Sequence, residues 1–135
     1  GEKNKILVVG VDTSGSINKE LLDKFAQNLQ GVIELADTTI VMSCDAAVHT
    51  VDQVNQFSDV FRDVVFKGGG GTDFAPVFEK IEEMGIVPEC LVFFTDLLGS
   101  HYKELPPYPV LWAVLPNTGD PKSVPFGDTC ILEED

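Results

Sequence analysis

Asp12, Ser14, Ser16, Thr72 and Asp96 are the residues of this chain whose types and spacing could do chemistry together. The first three stand in Asp12-Thr13-Ser14-Gly15-Ser16, Thr72 follows the glycines Gly68 to Gly71, and Asp96 closes an apolar run that begins at Cys90. All of them offer oxygen. Hydroxyls and carboxylates together make a hard donor set, the chemistry that Mg2+ and Mn2+ prefer and that zinc and copper do not. Gly15 lets the first loop turn tightly enough for Ser14 and Ser16 to face one point, and the glycine run gives the loop of Thr72 freedom to approach it. Taken alone, Asp12 to Ser16 reads first as a strand-to-helix turn with local hydroxyl caps. With Thr72 and Asp96 at the same end of a sheet, a metal site becomes the better reading.

The elements that must position these residues follow from hydrophobic patterning. Lys5 to Val11 is a nearly continuous β-branched run, which marks a strand covered on both faces in a parallel sheet. From the N-cap Asn18, apolar residues at helical spacing predict an amphipathic helix to about Leu35. Thr38 to Cys44 and Val48 to Val51 read as two strands whose connection is too short for a helical crossover, so an antiparallel hairpin at one sheet edge is expected. Asn55 to Phe66 lacks a clean period and reads as a short helix or an irregular connector.

After the glycines, Thr72-Asp73 opens a second helix with Pro76 in its first turn. Phe74, Val77, Phe78, Ile81 and Met84 share one face of it, and Gly85 stops it. Asp73 is read as a carboxylate favoured by the helix dipole rather than as a ligand. Cys90 to Thr95 and Val110 to Leu115 are buried strands, and an edge strand is expected around Thr129 to Leu132. Strands alternating with helices predict a Rossmann-like α/β three-layer sandwich with a mostly parallel sheet, one antiparallel edge strand and helices on both faces. In such sheets ligands bind beyond the carboxyl ends of the strands, which is where Asp12 and Asp96 fall.

At 135 residues the chain, 1–135, is expected to be a single domain. A formal charge of −13, with Arg62 the only arginine, argues against nucleic acid and against anionic membrane surfaces as partners. No apolar run approaches the roughly 20 residues that span a bilayer. The start, Gly1-Glu2-Lys3-Asn4-Lys5, reads as an excised boundary of a longer protein rather than a signal peptide, and Glu133-Glu134-Asp135 as a solvated tail. Cys44, Cys90 and Cys130 fit neither a disulfide framework nor a zinc site and read as reduced, packed thiols of a cytoplasmic protein. His49 and His101 are isolated and read as surface or loop residues, and Trp112 as core.

The pattern Asp-x-Ser-x-Ser, a distant Thr and a distant Asp resembles the metal-ion-dependent adhesion site of von Willebrand factor A domains, over almost the whole chain. The resemblance implies that Ser14, Ser16 and Thr72 bind the metal directly and that Asp12 and Asp96 act mainly through water. Gly70 to Pro76, Cys44-Asp45-Ala46, Pro109 to Trp112 and Pro125-Phe126-Gly127 are similar to the A-like domain that ends bacterial predicted metal-dependent peptidases. That likeness implies an intracellular protein partnered with a MoxR-type AAA+ ATPase. Many A domains place Gly directly after the last Asp; here Leu97-Leu98-Gly99 follows Asp96, so a bulkier rim is expected.

The function expected is therefore a metal-dependent protein-interaction module, with Mg2+ first and Mn2+ or Ca2+ as alternatives. Neutral hydroxyls around a dication leave it strongly Lewis acidic toward an Asp or Glu offered by a partner protein. The domain's own acidity would slow the approach of that carboxylate unless the partner is basic around it. The competing class is a metal-dependent hydrolase or phosphoryl-transfer enzyme with Asp12 as nucleophile or base. Against it, Ser14 stands where the haloacid-dehalogenase pattern needs a second Asp, and the glycine run lacks the Gly-Lys-Ser/Thr ending of a phosphate-binding loop. The chain also lacks His-Glu-x-x-His and a serine-hydrolase elbow, so this domain is not expected to be an enzyme.

Overall fold

A computed structural model describes residues 5–134. The expectations for Gly1 to Asn4 and for Asp135 lie outside the described residues. The backbone runs β1 (Ile6–Asp12), α1 (Lys19–Ile33), β2 (Thr38–Cys44), β3 (Val48–Asn55), α2 (Val60–Asp63), α3 (Ala75–Glu83), β4 (Cys90–Thr95), β5 (Val110–Val114), a 3-10 turn (Pro121–Ser123) and β6 (Asp128–Ile131). The strands form one six-stranded sheet in the order β3-β2-β1-β4-β5-β6. Only the β2–β3 pair is antiparallel; the other pairs are parallel. This is the predicted α/β sandwich with its single antiparallel edge.

Alternation along the strands sends side chains to two cores. Val9 and Val11 of β1 pack with Phe25, Leu29 and Ile33 of α1 on one face, where Val60 of α2 joins them. Val8 packs with Phe74, Val77, Phe78 and Ile81 beneath α3 on the other, together with Phe93 and Trp112. Trp112 is fully buried, stacked on Phe93, and its indole N–H donates to Phe126 O at 2.9 Å. Gly10 faces the α3-side core, where a Cβ would lie 3.0 Å from the Phe93 ring. Asn18 caps α1 through its side chain, which accepts from Leu21 N at 2.9 Å.

The structure departs from the sequence pattern in four places. β3 runs to Asn55 rather than Val51, because it pairs along the full length of β2 with His49, Gln53 and Asn55 on its exposed face. α3 ends at Glu83, and Met84 caps it with its backbone while its side chain stays exposed instead of joining the core face. β6 begins one residue early and is exposed throughout, and Leu132 after it turns into the α1 face. Cys130 on that strand is exposed, not packed, while Cys44 is buried and Cys90 half-buried, and all three are free thiols.

Two of the parallel crossovers lack a full helix. Between β4 and β5 the chain runs irregularly, laying Tyr102 and Tyr108 against the α3 face, and between β5 and β6 it makes only the 3-10 turn. Neighbouring β1 and β4 connect outward in opposite directions, so the strand order reverses between them. In open α/β sheets such a reversal is where ligands bind, beyond the carboxyl ends of the strands.

Candidate functional site

Asp12 is the last residue of β1, and Thr95 the last of β4, so the two strand ends meet side by side. The Asp12 carboxylate is buried and takes three donors: Ser14 N at 2.9 Å and Ser14 Oγ at 2.6 Å on Oδ1, and Thr95 Oγ1 at 2.8 Å on Oδ2. Asp96 follows, also buried, with Leu98 N at 3.0 Å on Oδ1 and Ser16 Oγ at 2.6 Å on Oδ2. Ser14 Oγ lies 3.2 Å from Ser16 Oγ. Asp12, Ser14, Ser16 and Asp96 therefore form one contiguous cluster across two strand ends.

Each serine hydroxyl carries one proton. With Ser14 donating to Asp12 and Ser16 donating to Asp96, no proton is left for the contact between the two hydroxyl oxygens. Their lone pairs face each other between two carboxylates, an arrangement that a cation satisfies and a further hydrogen bond does not. Burial pushes the Asp12 carboxyl above its ordinary range, the bonds from Ser14 and Thr95 pull it back, and the charge of Asp96 adds to the upward push. Hydroxyl oxygen, carboxylate oxygen and local negative field all suit a hard divalent ion. Among the described residues no group of His, Cys, Asp and Glu side chains alone is placed to hold a metal.

Thr72 packs beside the loop that follows Asp96. Among the described residues no hydrogen bond links it to the other four, but a Cβ built on Gly99 would fall 2.3 Å from Thr72 Cγ2, so the threonine side chain lies directly against the loop that follows Asp96. Its glycine loop is fastened to the Asp12 loop by Gly15 N to Gly70 O at 2.9 Å and Gly69 N to Thr13 O at 2.7 Å. Thr13 Oγ1 adds a bond to Lys67 O at 2.7 Å, and a Cβ on Gly68 would collide with Thr13 O at 2.2 Å. Gly68 is thus required for close approach, and Gly69, at φ 111, for its left-handed backbone.

Several residues that position the site escaped the sequence pattern. Thr95 is legible there only as the end of a strand, yet its buried hydroxyl also accepts from Leu97 N at 2.9 Å and so shapes the turn after β4. Asp45, in the β2–β3 turn, holds the glycine loop from the far side: Oδ2 accepts from Gly70 N at 3.0 Å, and its backbone O accepts from Asp73 N at 3.0 Å. Oδ1 accepts from Ala47 N at 3.1 Å and pairs with His49 Nε2 at 2.7 Å. Although the nearly buried carboxyl is opposed by desolvation, these partners together hold Asp45 below the ordinary carboxylate range. His49 is therefore a partner in the hairpin rather than a plain surface residue.

His101 is half-buried against Phe74, with ring centroids 5.1 Å apart, and burial lowers its pKa. Asp73 Oδ1 accepts from Ala75 N at 3.0 Å at the start of α3, as its reading as a helix-terminal carboxylate requires. The bulk expected beside Asp96 divides in two. Leu97 turns into the α3 core at φ 60, a left-handed backbone that favours glycine, while Leu98 stays exposed at the rim. Burial of the Leu97 side chain is what holds the residue in that conformation.

The family model described as VWA-like domain (DUF2201) matches residues 7–133. The chain belongs to this family. No curated protein sequence matches it. The match runs from β1 to beyond β6, so every element of the sheet, and each of the loops that meet at the candidate site, is part of the VWA-like domain. No helix of the VWA-like domain, among the described residues, is long and apolar enough to cross a membrane.

Proposed function

We propose that this VWA-like domain is a protein-interaction module that binds a hard divalent cation, Mg2+ in the first instance, and through it a carboxylate of a partner protein. Ser14, Ser16 and Thr72 would hold the ion directly, with Asp12 and Asp96 acting through water. The ion would supply Lewis acidity toward an incoming Asp or Glu. The protein's part is to keep the oxygens assembled: Asp12 and Asp96 orient the two serines, Thr95 fixes Asp12, and Asp45 holds the loop that carries Thr72.

The observation that carries this reading is the 3.2 Å contact of Ser14 Oγ with Ser16 Oγ, whose protons are both given to carboxylates. Catalysis by Asp12 is not part of the proposal, since both of its oxygens are engaged and its carboxylate is buried. The short strings resembling the A-like domain of bacterial predicted metal-dependent peptidases make a MoxR-type AAA+ ATPase the first partner to try.

Calorimetric titration with MgCl2 tests the metal, with thermal unfolding as a second readout. A ligand at one hundred times its Kd stabilises the native state by about 2.7 kcal/mol, which raises Tm by several degrees in a domain of this size. Ser14→Ala should remove both responses while leaving the far-UV spectrum unchanged. No heat and no Tm rise at millimolar Mg2+, Mn2+ or Ca2+ would refute the reading.

A further inference from the structure

A recess lies beside the amino end of β4. It is a cavity of ≈ 400 Å³ between the C-terminal end of α3 and the irregular crossover from β4 to β5. The crossover is fastened to the amino end of β4 by Leu91 N to Pro109 O at 2.9 Å, which places the recess away from the carboxyl-end loops of Asp12 and Asp96. Phe78 and Ile81 belong to its lining, and Tyr102 stacks on Phe78 with ring centroids 5.0 Å apart and planes 10° from parallel.

Its charge has one sign. Glu82 and Glu104 line the cavity, and no Lys, Arg or His does. The Tyr102 hydroxyl donates to Glu104 Oε2 at 3.3 Å, so an aromatic ring and a carboxylate are presented together. Burial first, and after it the neighbouring Tyr102 and Glu82, push the Tyr108 phenol up to about 12, so it stays a neutral hydroxyl at the cavity wall. At the edge, Val87 and Leu105 are 70% and 78% exposed, which extends apolar surface beyond what a single small cation would cover.

We propose that this recess is a docking site for an arginine-bearing extended segment of a partner protein. The guanidinium lies over the Tyr102 ring and pairs with Glu82 and Glu104, a combination that a planar, weakly hydrated cation satisfies better than an ammonium does. Apolar residues flanking the arginine cover Val87 and Leu105. A net charge of −13 on the domain favours a basic segment at long range.

The test is an NMR titration of the 15N-labelled protein in EDTA, so that a negative result leaves the metal reading untouched. The probe is the blocked pentapeptide Ala-Leu-Arg-Leu-Ala, and its twin carries citrulline in place of arginine. The expected result is a Kd near about 1 mM or tighter for the arginine peptide, at least about tenfold weaker binding of the citrulline twin, and shifts confined to residues 82–87 and 102–108. Combined Glu82→Gln and Glu104→Gln, both at exposed positions, should weaken the arginine peptide by about tenfold with no change in Tm. Tyr102→Leu should weaken both peptides. Equal affinity for the two peptides, shifts centred on the Asp12 loop, or no shift up to about 5 mM would overturn the proposal.

Discussion

A methyl group added at Gly99 would sit 2.3 Å from Thr72 Cγ2 and 2.7 Å from its Cβ, so Gly99→Ala must displace the threonine or its own loop. Neither residue that moves is a carboxylate. The substitution is expected to abolish the Mg2+-induced rise in Tm while the metal-free protein loses no more than about 1–3 kcal/mol, as overpacking typically costs. Unfolding curves with and without Mg2+ check it. Cys44 gives a pH-dependent counterpart. Burial, and after it the charges of Asp45, Asp12 and Asp73, pushes its thiol up to about 12. A thiol raised in the folded state contributes stability that is fully present below the unfolded value of about 8.5 and is lost as pH rises through the window up to the folded value. Between about pH 8.5 and 10.5 the urea midpoint of the parent protein should fall more steeply than that of Cys44→Ala, which lacks the group.

At the scale of the element, α1 carries the simplest test. Gly31 lies in the last turn of α1 on its exposed face, and a Cβ there meets nothing within 4 Å. Gly31→Ala should therefore stabilise the domain by about 1 kcal/mol, seen as a Tm higher by several degrees, with metal binding unchanged. Helices and strands of this kind were legible because their periodicity records burial: α1, β2 and β4 announce themselves through apolar spacing alone. β3 extends past its apolar pattern because its exposed His49, Gln53 and Asn55 obey pairing with β2 rather than a hydrophobic rule, while the half-buried Asp52 on the other face accepts from Val65 N at 2.9 Å. Met84 matches the helical stripe of α3, but the helix ends before the stripe does.

The candidate site divides along the same line. Asp12, Ser14 and Ser16 fall within five residues, so their pattern stands in the sequence, whereas Asp96 comes beside them only through the pairing of β1 with β4, and the loop of Thr72 only through the bonds of Gly69 and Gly70. Asp45 and Thr95 were invisible as positioning residues because what they do depends on the three-dimensional approach of Gly70 and Asp12, which no local spacing encodes.

For the molecule as a whole, a charge of −13 sets how each surface meets its partner. An acidic group approaching the proposed metal end works against the domain's field, while an arginine approaching the α3 recess works with it. Added NaCl should accordingly speed association of a partner's carboxylate at the first and weaken the arginine peptide at the second. Stopped-flow rates for the one and NMR affinities for the other, between about 20 and 200 mM salt, give opposite slopes if the two surfaces are distinct.

The rim strand β3 has a partner on one side only, and across its eight residues it carries neither lysine nor proline, the usual guards of an open margin. Besides Asp52 and the register shift near Cys44, mutual repulsion between acidic domains opposes the zipping of two such margins. That repulsion disappears near pH 4.3, where the chain's charge cancels, so mild acid is the condition in which this fold would begin to polymerise strand to strand.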